Sequence, residues 1–281
     1  ILGLPGSNEG GSCTLIAIDE FNGPRYVIKF SREKGINKYY NEFQLLNKLF
    51  KYNEYFKRTI PEPIMLTEIE DRGLFISKFI YGPILLPKIN NNLPQINTTE
   101  YQFNLVIEFL DNFNIFLDHN KDKEFIKPNS AKILKKLNKY FRLTKLENSF
   151  IKNIIRKNFI FSLQHGDFTR HNIIEQDGSI AVIDWTDSSR KIFMDDFFYF
   201  IINYFSQLRS NNGMRGIIES FKNTFISKNK YSDYIRSLIK IFFNNRDLKS
   251  KYFYNYLILF LIDRSLEEAQ NIKGQKVEEL S

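Results

Sequence analysis

The chain has 281 residues, enough for two ordinary domains or one bilobed unit with a sizeable core, and its 43% hydrophobic and 26% charged residues strike a globular balance. A single cysteine, Cys13, excludes an internal disulfide framework and suits a reducing cytosol, so a cytoplasmic protein is expected. The net charge of +8 is concentrated: between residues 121 and 157 twelve Lys or Arg stand against only Asp122, Glu124 and Glu147, as on the solvated faces of lysine-rich helices.

In chain order, the first eighty residues read as strand-rich. Residues 13–19 (CTLIAID) and 25–30 (RYVIKF) are β-branched and aromatic runs around Asn22-Gly23, a hairpin signal. A helix is predicted over 38–50, with Tyr39, Phe43, Leu46 and Phe50 at helical spacing. Residues 74–81 (LFISKFIY) read as another strand, closed by Gly82-Pro83. The polar stretch 87–97, with two prolines and four asparagines, suggests a boundary between lobes. Beyond it, Phe103, Val106, Ile107, Leu110 and Phe113 mark one amphipathic helix, and Ile133, Leu134, Leu137 and Phe141 mark a second. Residues 159–164 read as a strand, and 172–176 and 179–184 flank Asp177-Gly178 as a second hairpin. From Asp196 onward the pattern is helical, including 254–268. Strands first and helices later give an α+β chain in two lobes, 1–82 and 83–281. The apolar run near 256–262 is too short to span a bilayer, and no secretory pattern opens the chain, which begins at Ile1.

The chemistry concentrates in His165-Gly166-Asp167-Phe168-Thr169-Arg170-His171-Asn172 and in Ile183-Asp184-Trp185. If Asp177-Gly178 is a two-residue turn, residue 176 faces 179 and Asn172 lies opposite Ile183. Asn172 and Asp184 then share the open end of the hairpin, and Asp167 sits in the loop leading in. Phosphoryl transfer asks for such a set: a carboxylate to orient the attacking hydroxyl, and oxygen ligands for a divalent cation that takes few from protein.

This segment resembles the catalytic loop of the aminoglycoside phosphotransferase and choline kinase group, H-G-D-x-x-x-x-N followed by I-D-[WF]. The resemblance implies a protein-kinase-like bilobed fold, with a small β-rich N-lobe and a larger, mainly helical C-lobe carrying a short β-hairpin insert. It implies ATP and Mg²⁺ as cofactors, with Asp167 as catalytic base and Asn172 and Asp184 as metal ligands. His165 is then a brace for the loop, and Asp196 a structural support. Lys29, in Val27-Ile28-Lys29, resembles the lysine that contacts the α- and β-phosphates, and Glu42 its partner. Gly3, Gly6, Gly10, Gly11 and Ser12 are similar to a loop that covers the phosphates. Residues 74–82 look like an edge strand and hinge whose backbone, around Lys78 and Ile80, receives adenine.

Two sites, three residues in all, depart from a bacterial branch of this group that reads H-G-D-F-T-P-W-N and I-D-W-E: Arg170-His171 replace Pro-Trp, and Thr186 replaces the glutamate after Ile-Asp-Trp. Both are expected on the acceptor side. The implied reaction moves a phosphoryl group to a hydroxyl of a small molecule, whether sugar, amino alcohol or aminoglycoside-like. A protein Ser/Thr kinase is the first rival, but no A-P-E follows Asp184. A non-catalytic nucleotide-binding regulator is the second, although Asp167, Asn172 and Asp184 are all retained. No zinc spacing and no aromatic-basic motif for nucleic acid occurs. His119 and His171 have no partner legible in the sequence.

Overall fold

The computed structural model describes residues 2–4, 12–34, 37–86, 89–90, 93–94, 96–206, 221–244 and 253–278. The chain divides into two compact units: residues 1–120 with 165–189, and residues 121–164 with 190–281. This partition by packing is a different division from the functional lobes expected from sequence.

The first unit opens with a five-stranded antiparallel sheet in the order β1-β2-β3-β5-β4. Its strands are β1 (Leu2–Leu4), β2 (Ser12–Asp19), β3 (Gly23–Lys34), β4 (Pro63–Ile69) and β5 (Arg72–Lys78). The hairpin expected at Asn22-Gly23 forms, but Asp19 pairs with Gly23, so the connection spans residues 20–22. The Asp19 carboxylate closes this turn by accepting from the backbone N–H groups of Phe21 and Asn22. The strand expected at 74–81 is corrected in place and position. It is β5, two residues earlier, and it pairs with β3 on one side and β4 on the other rather than forming an edge. Its neighbour β4 escaped the sequence reading because a run beginning with Pro and ending in Thr-Glu-Ile carries no clear alternation.

Helix α1 (Asn37–Tyr52) packs on β4 and β5 through Tyr39, Leu46 and Leu49, all essentially buried. Residue 42 belongs to that same stripe by helical spacing, so α1 carries a carboxylate into the sheet. A short α2 (Glu54–Thr59), capped by Asn53, follows. The two-residue strands β6 (Ile89–Asn90) and β7 (Leu93–Pro94) pair with one another. Helix α3 (Ile96–His119) turns Phe109, Phe113 and Phe116 inward. His119, for which the sequence suggested no partner, lies edge-on to Tyr52 with ring centroids 5.3 Å apart.

The second hairpin has the predicted register: Gln176 pairs with Ser179 and Ile173 with Val182, giving β10 (Ile173–Gln176) and β11 (Ser179–Val182). The segment after β5 runs beside it. Ile84 bridges Ile174, the Leu85 N–H donates to the Ile173 carbonyl, and the Glu175 N–H donates to the Pro83 carbonyl.

The second unit holds a three-stranded sheet, β12-β9-β8, from β8 (Glu124–Ile126), β9 (Phe159–Gln164) and β12 (Ser189–Ile192). Around it are α4 (Ser130–Tyr140), α5 (Lys145–Ile155), α6 (Asp195–Ser206), a π-helical turn at Lys222–Ile226, α7 (Lys230–Asn244) and α8 (Phe253–Glu278). Helices α4 and α8 bury Leu137, Ile262 and Leu266 together, and Phe197 stacks on Phe242 at 3.8 Å. The cations of segment 121–157 are exposed except Lys123, which leaves a solvated basic surface. Among the described residues no helix is long and apolar enough to cross a membrane.

Candidate active site

Every candidate side chain the structure brings together lies in the first unit. The Lys29 ammonium, on β3, donates to Glu42 Oε1 at 2.7 Å, to Asp184 Oδ1 at 2.7 Å and to Thr186 Oγ1 at 2.9 Å. Its three N–H groups thus meet three acceptors, one on α1 and two in the turn at 184–186. Glu42 is 2% exposed and accepts in addition from the Trp185 N–H at 3.2 Å and the Thr186 hydroxyl at 2.9 Å. A carboxylate on a buried helix stripe requires such donors, because an unpaired buried charge is expensive. Burial alone would pull the Lys29 ammonium down, but the charges of Glu42 and Asp184 outweigh it and raise its pKa. Asp184 is the counterpart: its burial works upward, yet the Lys29 ammonium beside it brings it down to about 2.

The backbone of Asp184 has φ 60°, in the left-handed region. This costs a non-glycine residue about 1–2 kcal/mol and is tolerated best by Asp and Asn. The turn is anchored by Trp185, fully buried, whose indole N–H donates to the Val182 carbonyl at 3.0 Å. Its ring lies 4.7 Å from His165 and 5.5 Å from Phe113 on α3. The other half of the site is anchored in the same way, since Phe168 is fully buried and stacks on Phe109 at 5.9 Å. Helix α3 is therefore a shared aromatic floor for the loop at 165–172 and the turn at 184–186.

His165 is fully buried. Its Nε2 lies 2.9 Å from the Ile183 carbonyl, and its Nδ1 lies 3.3 Å from the Asp167 N–H. Those partners require the neutral tautomer with the proton on Nε2. Burial accordingly holds the imidazole down to about 4. The ring ties the backbone of the 165–172 loop to the strand leading into Asp184. Asn172 makes the complementary tie. Its amide nitrogen donates to Asp167 Oδ2 at 2.8 Å and to the Asp167 carbonyl at 2.9 Å, and its own carbonyl receives the Ile183 N–H.

Asn172 and Asp184 thus stand at the same open end of the β10–β11 hairpin. Because the Asn172 nitrogen is committed to Asp167, its amide oxygen is the atom left to act as a ligand. Asp184 is about half exposed. An amide oxygen and a reachable carboxylate suit a hard divalent cation that draws its remaining ligands from phosphates and water. No group of three His, Cys, Asp or Glu poised for a metal occurs among the described residues.

Other candidate positions fall elsewhere. Gly6, Gly10 and Gly11 lie outside the described residues, Gly3 is in β1, and Ser12 opens β2. At the end of β5 the Lys78 N–H donates to the Glu62 carbonyl at 2.9 Å, while its ammonium pairs with the Glu62 carboxylate. Ile80 follows in the irregular segment leading to residue 82, half-buried. Asp196 belongs to the second unit and is buried in the first turn of α6. Thr186, expected on the acceptor side, instead sits against Lys29, Glu42 and Asp184. Only its adjacency to Asp184 hinted at this.

Residues 128–219 match the family model described as the phosphotransferase enzyme family (APH), bearing out over that segment the resemblance read from the loop. No curated protein matches the chain by sequence. Among solved structures, the fold is similar to an amicoumacin kinase in complex with AMP-PNP, Ca²⁺ and Ami (TM-score 0.56, 11% identity, covering 95% of this chain and 80% of that one). It is also similar to a glucosamine kinase in complex with glucosamine, ADP and inorganic phosphate (TM-score 0.55, 9% identity, 89% and 73% covered). A third similar structure is the GDP complex of an aminoglycoside 2'-phosphotransferase mutant (TM-score 0.53, 13% identity, 98% and 86% covered). The fold is α+β and that of protein-kinase-like small-molecule phosphotransferases.

Proposed function

We propose that this chain is an ATP- and Mg²⁺-dependent phosphotransferase that moves the γ-phosphate to a hydroxyl of a small molecule, with Asp167 as its catalytic base. The observation that carries the reading is the ion pair of Lys29 with Glu42 joined to Asp184, 155 residues further along the chain. A lysine held between a helix carboxylate and an aspartate at a hairpin mouth is what phosphate placement beside a metal ligand requires. The family match over residues 128–219 supports the reaction class.

In this reading Lys29 contacts the α- and β-phosphates, and Glu42 fixes its direction. Residues Gly10, Gly11 and Ser12 offer backbone N–H groups to the phosphates, and the backbone near Lys78 and Ile80 receives adenine. The lobes divide at residues 82–83, with the nucleotide on the N-terminal side. Asn172 and Asp184 hold Mg²⁺, whose chemistry is to neutralise the phosphate oxygens. Asp167 orients the acceptor hydroxyl and takes its proton. A bond forms between that oxygen and the γ-phosphorus, the bond from phosphorus to the β,γ-bridging oxygen breaks, and ADP leaves. The Asn172 amide keeps the Asp167 carboxylate in one orientation for this step.

The acceptor class follows the named neighbours, which include kinases for amicoumacin and glucosamine. A sugar, amino alcohol or aminoglycoside-like hydroxyl is the corresponding acceptor here. Helix α6 begins at Asp195, eleven residues after Asp184, which is too short a stretch for a peptide-docking segment and speaks for a small acceptor. The one-cysteine composition fits work in the cytoplasm.

The test is transfer of labelled γ-phosphate from Mg·ATP into pooled sugars, amino alcohols and aminoglycosides, run beside Asp167→Asn. A single labelled product is expected, with kcat lower by at least about a hundredfold in the variant and nucleotide binding retained. Full turnover by Asp167→Asn would remove Asp167 from the chemistry.

A further inference from the structure

The Thr186 hydroxyl has one proton and stands 2.9 Å from two carboxylate oxygens, Glu42 Oε2 and Asp184 Oδ1. Its oxygen also accepts from Lys29 at 2.9 Å. A hydroxyl donates to one acceptor at a time, so it serves Glu42 or Asp184 but not both. The two carboxylates are unequal. Glu42 is 2% exposed and also receives the Trp185 N–H, so it is fixed in place; Asp184 is half exposed and tied through one oxygen to Lys29 and Thr186.

On the phosphotransferase reading, Asp184 has to turn from Lys29 to the cation when Mg·nucleotide enters. Without a third group, that exchange strips an acceptor from a mostly buried ammonium, 12% exposed, before the incoming phosphates engage it. We propose that Thr186 is a positioning residue that makes the exchange inexpensive: its hydroxyl donates to Asp184 while Lys29 holds that carboxylate, and rotates to donate to Glu42 when Asp184 leaves. Throughout, its oxygen goes on accepting from Lys29. The ammonium therefore keeps two acceptors and its direction in both states. The glutamate of the related branch has no hydroxyl proton to give at this position, so the device belongs to this chain's own residue.

The inference rests on the phosphotransferase reading, and its test separates the two. The measurement is calorimetric binding of AMP-PNP with and without Mg²⁺ to the parent, Thr186→Val, Thr186→Ser and Asp184→Asn. Valine keeps the shape and removes the hydroxyl. A hydrogen bond to a charged group corresponds to roughly a ten- to hundredfold change in an equilibrium, so Thr186→Val is expected to lose about tenfold or more of the Mg²⁺ enhancement. Its metal-free affinity stays near that of the parent, and Thr186→Ser recovers the enhancement to within about threefold. An unchanged enhancement in Thr186→Val, while Asp184→Asn loses it, would overturn the role of Thr186 and leave the phosphotransferase reading standing. Serine as impaired as valine would assign the effect to the methyl group, and loss of metal-free binding by valine would assign it to the fold; either overturns the proposal. A parent chain that shows no Mg²⁺ enhancement at all would bring down both readings.

Discussion

Replacing Gly166 by alanine tests whether the loop before Asp167 is built on close backbone approach. Gly166 has φ +89°, and a Cβ there would stand 2.2 Å from the Asp187 carbonyl oxygen and 2.9 Å from its carbon, where real contacts do not fall below 3.0 Å. The methyl group meets backbone, so relief needs a shift of nearly an ångström in the 184–187 turn or in the catalytic loop. Gly178 is an internal control: its φ is +73°, yet nothing lies within 4 Å of its Cβ position. Left-handed backbone costs an alanine about 1–2 kcal/mol, of which the stiffer unfolded chain returns about 0.4–1. Gly178→Ala is therefore expected to lose no more than about 1.5 kcal/mol. Gly166→Ala adds an overpacking cost of about 1–3 kcal/mol, for a total of roughly 1–4.5.

With a denaturant slope of about 3 kcal/mol/M, the excess moves the urea midpoint of Gly166→Ala down by roughly 0.3–1 M relative to Gly178→Ala. The same displacement moves Asp167, and misplacement on that scale costs about a hundredfold in rate, whereas Gly178→Ala keeps parental turnover. Equal midpoints for the two variants, or normal turnover in Gly166→Ala, would refute the close-approach argument.

Neutral His165 predicts a pH dependence of stability. Its folded pKa of about 4 lies below the usual 6.5, so the unfolded chain binds the extra proton first; stability is complete above about pH 6.5 and is lost as pH falls through about 4. That contribution is about 3 kcal/mol, and chemical denaturation between pH 7 and 4 should show His165→Gln losing less stability than the parent across this window. In the second unit, Asp195 is fully buried and meets Arg264 Nη2 at 2.5 Å, with the guanidinium stacked 4.0 Å over Tyr199. Arg264→Met strands that carboxylate and should cost about 3–5 kcal/mol in thermal or urea unfolding, whereas the double change with Asp195→Asn should recover much of it. At the strained turn, Asp184→Gly should be more stable than Asp184→Ala by about 0.5–1 kcal/mol, the left-handed cost less the entropy of glycine; the reverse order in urea midpoints would show that residue 184 is not strained.

Where local pattern and three-dimensional neighbour coincide, the sequence was readable. The β10–β11 register follows from Asp177-Gly178 and the period of two, and it brings Asn172 opposite Ile183 without reference to the rest of the chain. Helix α1 is equally legible from its apolar spacing, whereas Glu42 reads as an ordinary surface acid on that helix and only the structure shows it buried. What stayed hidden depends on contacts between distant segments. Strand β4 is recognisable only once β5 is there to pair with it, and its arrival turns the supposed edge strand into an interior one. The aromatic floor of α3 looks like any core face until Phe168 and Trp185 are laid on it. Thr186 reads as a mere departure from a family pattern because its three partners come from β3, α1 and its own turn.

Two acids share one ammonium in this site, and their surroundings divide the labour between them. Glu42 sits on a buried helix face, and its oxygens receive Lys29, the Trp185 backbone and the Thr186 hydroxyl, so moving it would desolvate or orphan several groups at once. Asp184 is half exposed, on a turn whose left-handed backbone already costs energy, and it accepts from Lys29 and Thr186, two groups it shares with Glu42. The Lys29 ammonium that holds Asp184 well down in pKa favours its ionised form. On the proposed function, an incoming cation would compete with Lys29 for a reachable carboxylate and would find Glu42 out of reach. The acid with more donors and less water is held in place, and the one at the hairpin mouth is the one the proposed function asks to exchange.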